Sequence, residues 1–109
     1  EVVMEALGFD GLLRSCDLVV TGEGRLDDQT AHGKTVCGVA RKARERGIPV
    51  LALGGEVAEV AEALHALGVS AVLGICPGPV TREECMERAA SMLRRAAREA
   101  AGLLRALAL

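Results

Sequence analysis

The chain is expected to fold as an α/β unit on a parallel sheet, and three features of the sequence carry that expectation. Short apolar, β-branched runs alternate with segments of helical period. Each run is closed by glycine or proline punctuation. No internal repeat or low-complexity tract interrupts the alternation. The order is β-α-β-α-β-α, a three-stranded parallel unit equal to half of a doubly wound sheet. At 109 residues the chain reads as one domain or part of one, 1–109, with no internal boundary.

The elements follow in order. About sixteen leading residues have a helical look, broken at Gly8, and they start in mid-pattern without a helix cap. Asp17-Leu-Val-Val-Thr21 is the first strand, ending in a glycine-rich segment. Val36, Val39, Ala40 and Ala43 form a helical stripe, with Arg41, Lys42, Arg44 and Arg46 at its C-terminal end and Gly47 as the C-cap. Val50–Leu53 is the second strand, closed by Gly54-Gly55. Val57, Val60, Ala61, Leu64 and Leu67 form the next stripe, ended by Gly68. Ser70–Ile75 is the third strand. Runs this apolar are expected to be buried on both faces. Thr81-Arg-Glu-Glu84 is a capping box, with Val80 and Cys85 placed as a staple, and opens one long final helix.

Composition excludes several functions. Half of the residues are hydrophobic and 26% are charged, which argues against disorder. Phe9 is the only aromatic residue of the Phe, Tyr and Trp set and the net charge is −2, so neither stacking platforms nor a basic field for nucleic acid is present. The longest stretch free of Asp, Glu, Lys and Arg, 63–81, is broken by glycines and prolines and is no membrane span; no signal peptide is visible. The cysteines at 16, 37, 76 and 85 have no Cys-x-x-Cys spacing. They are expected to be reduced, mostly buried thiols of a cytoplasmic protein, with no zinc site and no disulfide.

The stretch from Thr21 to Thr35 holds three carboxylates, an arginine, a lysine, a histidine and three glycines. It leaves the C-terminal end of a strand and enters a helix, where open α/β sheets bind ligands. Glycines there permit close backbone approach, and free amides at a helix start favour anions. Two familiar phosphate patterns nearly fit. A P-loop ending in Gly33-Lys34-Thr35 needs glycine where Asp28 stands, and a dinucleotide fingerprint from Gly22 needs glycine or alanine where Asp27 stands. An anion or phosphate site is the sharper reading. The alternative is a polar loop whose glycines make turns and whose carboxylates cap the next helix.

The block Asp17-Leu-Val-Val-Thr-Gly-Glu-Gly-Arg-Leu-Asp27, with Gln29-Thr30, Gly33-Lys34 and Gly38-Val39-Ala40, resembles the signature of the bacterial two-domain glycerate kinases. The resemblance continues through Ile48-Pro-Val-Leu-Ala-Leu-Gly-Gly55, the Gly68–Leu73 strand and the final Ala/Leu-rich helix. It matches the C-terminal portion of that family. It implies a Rossmann-like or flavodoxin-like domain whose cleft against a second domain is the active site. It also implies transfer of the ATP γ-phosphate, with Mg2+, to D-glycerate, the 2-hydroxyl being favoured. The chain would be the C-terminal half of the first domain, inactive alone. Its partners would be D-glycerate, ATP and the N-terminal part of its own polypeptide, with homo-oligomers expected and neither nucleic acid nor membrane. The other class of reading is a stand-alone α/β module that binds an anion or nucleotide without catalysis.

On the resemblance, Lys34 and Arg25 are candidates for contacting phosphate or the glycerate carboxylate. The plainer roles are a solvated lysine at a helix start, and an ion pair of Arg25 with Asp27 or Asp28. Asp27 is the candidate for holding magnesium or for deprotonating the hydroxyl, against a helix cap. Thr21, Gly22, Glu23, Gly24, Gln29, Thr30 and Gly33 are candidate substrate or phosphate contacts. Asp28 and His32 read as solvated neighbours and His65 as structural. Gly54-Gly55 ends a strand on the same edge and is a candidate wall of the cleft.

Overall fold

The computed structural model describes residues 11, 13, 15–26, 34–57, 61–76 and 79–107. Three strands, β1 (Val19–Leu26), β2 (Val50–Val57) and β3 (Ala71–Gly74), form one parallel sheet in the order β1-β2-β3. Helix α1 (Lys34–Glu45) joins the first two strands and α2 (Ala61–Ala66) the second pair. Helices α3 (Arg82–Glu87) and α4 (Ala89–Ala106) follow β3. The α/β class and the parallel sheet agree with the sequence reading.

One core holds the unit together. Val36, Ala40 and Ala43 of α1, Leu64 of α2, Val50 and Ala52 of β2, with Leu26 and Val69, bury into a single cluster. The helical residues recur at the spacing of one helix face, and Val50 and Ala52 at the period of one strand face. Burying each of the larger ones contributes about 1.5–3 kcal/mol. Leu51 and Leu53, on the other face of β2, are also buried, so β2 has the two-sided burial expected of a parallel strand. The outer strands do not: Val20 of β1 is 55% exposed and Leu73 of β3 41%. They are the sheet's edges among the described residues, so nothing described flanks them on their outer side.

The caps that the sequence announces are in place. Gly47 and Gly68 take positive φ, 67° and 111°, the left-handed conformation glycine adopts most readily. Arg44 donates from its guanidinium to the Ala66 carbonyl at 3.1 Å, tying α1 to the end of α2. The Glu84 backbone N–H donates to the Thr81 hydroxyl at 3.1 Å, the N-cap read from the capping box.

Four expectations are corrected. First, the glycine segment after Thr21 is not a loop. β1 runs on to Leu26, and β2 runs past Gly54-Gly55 to Val57, with Glu23 paired to Gly54 and Arg25 to Glu56. Val57 therefore ends a strand and does not open the second helical stripe. Close approach explains the extension: a Cβ on Gly55 would lie 2.7 Å from the Gly24 carbonyl oxygen, and one on Gly54 would lie 2.8 Å from the Leu26 side chain. Second, the final helix is two helices, separated at Arg88 (φ −106°, ψ 11°). Third, Cys76 and Cys85 form a disulfide with Cα atoms 6.6 Å apart. The cap at Thr81 turns α3 back so that its first turn meets the end of β3, a meeting that the sequence separation of nine does not announce. Fourth, Cys16 is an exposed thiol and Cys37 a half-buried one, so the expectation of mostly buried thiols fails, while these two stay unbridged as expected. The leading segment before residue 11 lies outside the described residues.

Gly55→Ala in the intact protein is expected to cost about 1–3 kcal/mol, because backbone oxygen cannot yield as a side chain can. Urea denaturation measures it; an unchanged midpoint would show that the two strand ends separate without cost.

Candidate functional site

The C-terminal ends of β1 and β2 open into a pocket of about 830 Å3, walled on one side by Val20–Arg25 and Leu53–Glu56 and on the other by α3 and α4. The volume is that of a small-molecule site, and it lies at the sheet end where α/β folds bind ligands. Its apolar wall comes from Leu53, Ile75, Met86 and Leu93; its polar atoms come from Thr21, Glu23, Arg25, Glu56 and Arg82.

Local sequence sets this arrangement. Gly24 has open space where a Cβ would stand, so a ligand has access to the β1 backbone at that point. Leu26 is 1% exposed and packs into the main core, anchoring the chain directly after Arg25. Val19 packs on the same core although it is an odd number of positions from Leu26, so strict strand alternation is not kept between them. The recorded pairing passes from Glu23–Gly54 to Arg25–Glu56 without a Gly24–Gly55 step, and the two glycines mark the irregularity.

Charges gather on one carboxylate. Arg25 meets Glu56 at 3.4 Å, and Arg82 meets the other Glu56 oxygen at 3.8 Å. All three side chains are partly exposed, and pairs of this kind add at most about 1 kcal/mol to stability. Their placement thus bears on what enters the pocket more than on folding. Cys85, one turn along α3 from Arg82, is bridged to Cys76 at the end of β3, and the Cys76 sulfur lies 3.1 Å from the Gly55 carbonyl oxygen. The bridge holds α3 against the ends of β2 and β3.

Of the candidates read from sequence, Thr21, Gly22, Glu23, Gly24 and Arg25 stand together on the pocket wall, joined by Gly54 and Gly55. Lys34 begins α1. Asp27, Asp28, Gln29, Thr30, His32 and Gly33 lie outside the described residues. His65 is structural: its Nδ1 donates to the Val69 carbonyl at 2.8 Å. Sequence reasoning missed Glu56 and Arg82. Glu56 lies within β2 and Arg82 opens α3; their meeting depends on how α3 turns back on the sheet, and no local pattern announces it. Arg25 pairs with Glu56; Asp27 and Asp28, the partners considered for it in the sequence, lie outside the described residues.

With the geometry in hand, relatives give it a chemical context. The Glycerate kinase family model matches residues 1–105. The chain belongs to the glycerate kinase family. It is similar to the glycerate kinase of Bacillus subtilis (strain 168), 39% identical over 105 residues, which is 96% of this chain and 28% of that protein. It is also similar to the glycerate kinase of Bacillus cereus, 45% identical over 84 residues, 77% of this chain and 22% of that protein. The glycerate 2-kinase of Escherichia coli K12 is 35% identical over 104 residues, 95% of this chain and 27% of that protein. The chain spans about a quarter of the length of these curated relatives and matches the C-terminal portion of the glycerate kinases.

Gly24 makes a sharp test of the pocket. Gly24→Val adds a branched side chain where nothing stands within 4 Å. Stability is expected to change by no more than about 0.5 kcal/mol, the scale of an uncrowded exposed site, while ligand affinity in the full-length protein falls about tenfold or more. Parallel denaturation and substrate-saturation curves check it; equal affinities would remove Gly24 from the ligand's path.

Proposed function

We propose that the full-length protein carrying this segment transfers the γ-phosphate of ATP to D-glycerate, giving phosphoglycerate, with the 2-phospho product favoured. The observation that carries the reading is one pocket, at the C-terminal strand ends of a glycerate kinase family chain, that unites Gly22–Arg25 with Gly54–Glu56. Phosphoryl transfer depends on positioning and charge stabilisation, and the pocket has suitable groups for both.

In this reading the glycerate hydroxyl oxygen bonds to the γ-phosphorus as the bond to the β,γ-bridging oxygen breaks, ADP leaves, and the hydroxyl proton passes to Asp27. Arg25 and Lys34 hold phosphate oxygens or the glycerate carboxylate. Thr21, Gln29 and Thr30 supply hydrogen bonds, and Gly22, Gly24 and Gly33 keep the backbone open to the ligand. Magnesium takes oxygen ligands and is held in such sites by one or two carboxylates plus substrate phosphates. Glu23 on the pocket wall is a carboxylate of the right chemistry, and Asp27 is proposed as the other. The described residues contain no cluster of three or more His, Cys, Asp or Glu fit to hold a metal ion, and Asp27 lies outside them. When bound, the ion neutralises charge on the phosphates.

The remaining N-terminal part of the polypeptide would complete the cleft, and homo-oligomers are part of the proposal. No helix among the described residues is long and apolar enough to cross a membrane. A cytoplasmic location is part of the proposal, and the Cys76–Cys85 bridge runs against the reducing compartment it implies. Phosphorus NMR of the purified full-length protein with ATP, Mg2+ and D-glycerate tests the reaction. A new 2-phosphoglycerate resonance is expected. ATP that is hydrolysed or unchanged, with no phosphorylated glycerate, would overturn the reading.

A further inference from the structure

We infer that Arg82, delivered from α3, is a second oxyanion-binding residue of the pocket, and that Glu56 positions it together with Arg25. The inference rests on the kinase reading and adds to it a residue outside the glycine-rich stretch of β1.

Three observations converge. Arg25 and Arg82 come from elements far apart in sequence, yet both contact one carboxylate, each through a different Glu56 oxygen. The two guanidiniums stand in the lining of an otherwise largely apolar pocket, beside Glu23 and Glu56. Arg82 is engaged through Nε, and among the described residues no partner takes its two terminal nitrogens. Arginine presents those nitrogens as a planar fork that matches carboxylate and phosphate oxygens.

The fold holds Arg82 in place by independent means. Thr81 caps the helix that Arg82 begins, and the Cys76–Cys85 bridge fastens that helix one turn later to the end of β3. At 77% side-chain exposure, Arg82 does little for stability, so packing does not explain the anchoring. A ligand bearing a phosphate or carboxylate group does. Glu56 sets the spacing of the two arginines and, being a carboxylate, is not itself an anion ligand; it is a positioning residue.

The experiment uses the full-length protein with Arg82→Ala, Arg82→Lys and Glu56→Gln. Steady-state kinetics are measured with ATP and D-glycerate varied separately, and binding of inorganic pyrophosphate is measured by calorimetry. Loss of one charge-assisted contact is expected to raise one KM by about tenfold or more in Arg82→Ala, with kcat changed less than about threefold and lysine restoring part of the loss. A rise confined to glycerate assigns Arg82 to the carboxylate; a rise confined to ATP assigns it to phosphate. Glu56→Gln should move the same KM in the same direction. If both constants stay at wild-type values while turnover is normal, Arg82 is a surface ion pair and the inference falls. If the wild-type protein turns over no glycerate, the kinase reading fails and pyrophosphate decides this one alone. Binding that is lost in Arg82→Ala then supports the anion site; binding that is equal in both proteins, or absent from both, overturns it.

Discussion

Asp27→Asn in the full-length enzyme is expected to lower turnover by about two orders of magnitude or more, the scale for losing a positioned acid-base or charge-stabilising group. Asparagine keeps the shape of the side chain and removes the charge, so it can neither take the hydroxyl proton nor hold magnesium with the same strength. The position is favourable for such a role. Asp27 follows Leu26, which is buried in the main core, and Arg25, which lines the pocket. A small displacement of a reacting group can itself cost a large factor in rate. Single-turnover and steady-state rates, with a thermal melt as control, measure the effect. Near-normal turnover in the variant would reduce Asp27 to a helix cap.

The second large effect concerns the segment by itself. Residues 1–109 produced alone are expected to show no detectable glycerate phosphorylation and to self-associate. Phosphoryl transfer needs both reactants held in line away from water, and the pocket is open on the side where no described element stands. The exposed apolar side chains are specific: Val20 and Leu73 on the outer strands, Met86 and Leu93 facing the pocket, and Leu103 and Leu107 at the end of the chain. An edge strand with an exposed apolar face is a template for pairing. Light scattering on the eluting protein, with a coupled ADP assay, tests both halves. A stable monomer that phosphorylates glycerate would contradict them.

Much of the architecture was legible because it depends on local chemistry. Gly47 and Gly68 announce helix ends, and Thr81 announces a helix start, through backbone requirements that any fold must meet. The three apolar runs announce strands. What failed depended on contacts between distant residues. Gly22, Gly24, Gly54 and Gly55 look like turn residues when read singly. They are strand residues, and the close approach of Gly55 to the Gly24 carbonyl and of Gly54 to the Leu26 side chain leaves no room for a Cβ at either β2 position. The disulfide and the Arg25–Glu56–Arg82 cluster escaped for the same reason. Each joins segments whose meeting is decided by how α3 turns back on the sheet. At the site, Thr21 through Arg25 were picked out because polar residues crowd after a strand, while Glu56 and Arg82 were passed over because each has an ordinary explanation in its own local pattern.

The central claim is that the C-terminal ends of β1 and β2 form the ligand edge of a glycerate kinase. A crystal structure of the full-length protein with D-glycerate and a non-hydrolysable ATP analogue tests it most directly. The account predicts that glycerate or the terminal phosphate lies within hydrogen-bonding distance of the Gly22–Arg25 backbone or the Arg25 side chain, with Gly54 and Gly55 on the adjoining wall. Both ligands seated elsewhere, with this pocket filled by another part of the polypeptide, would contradict it.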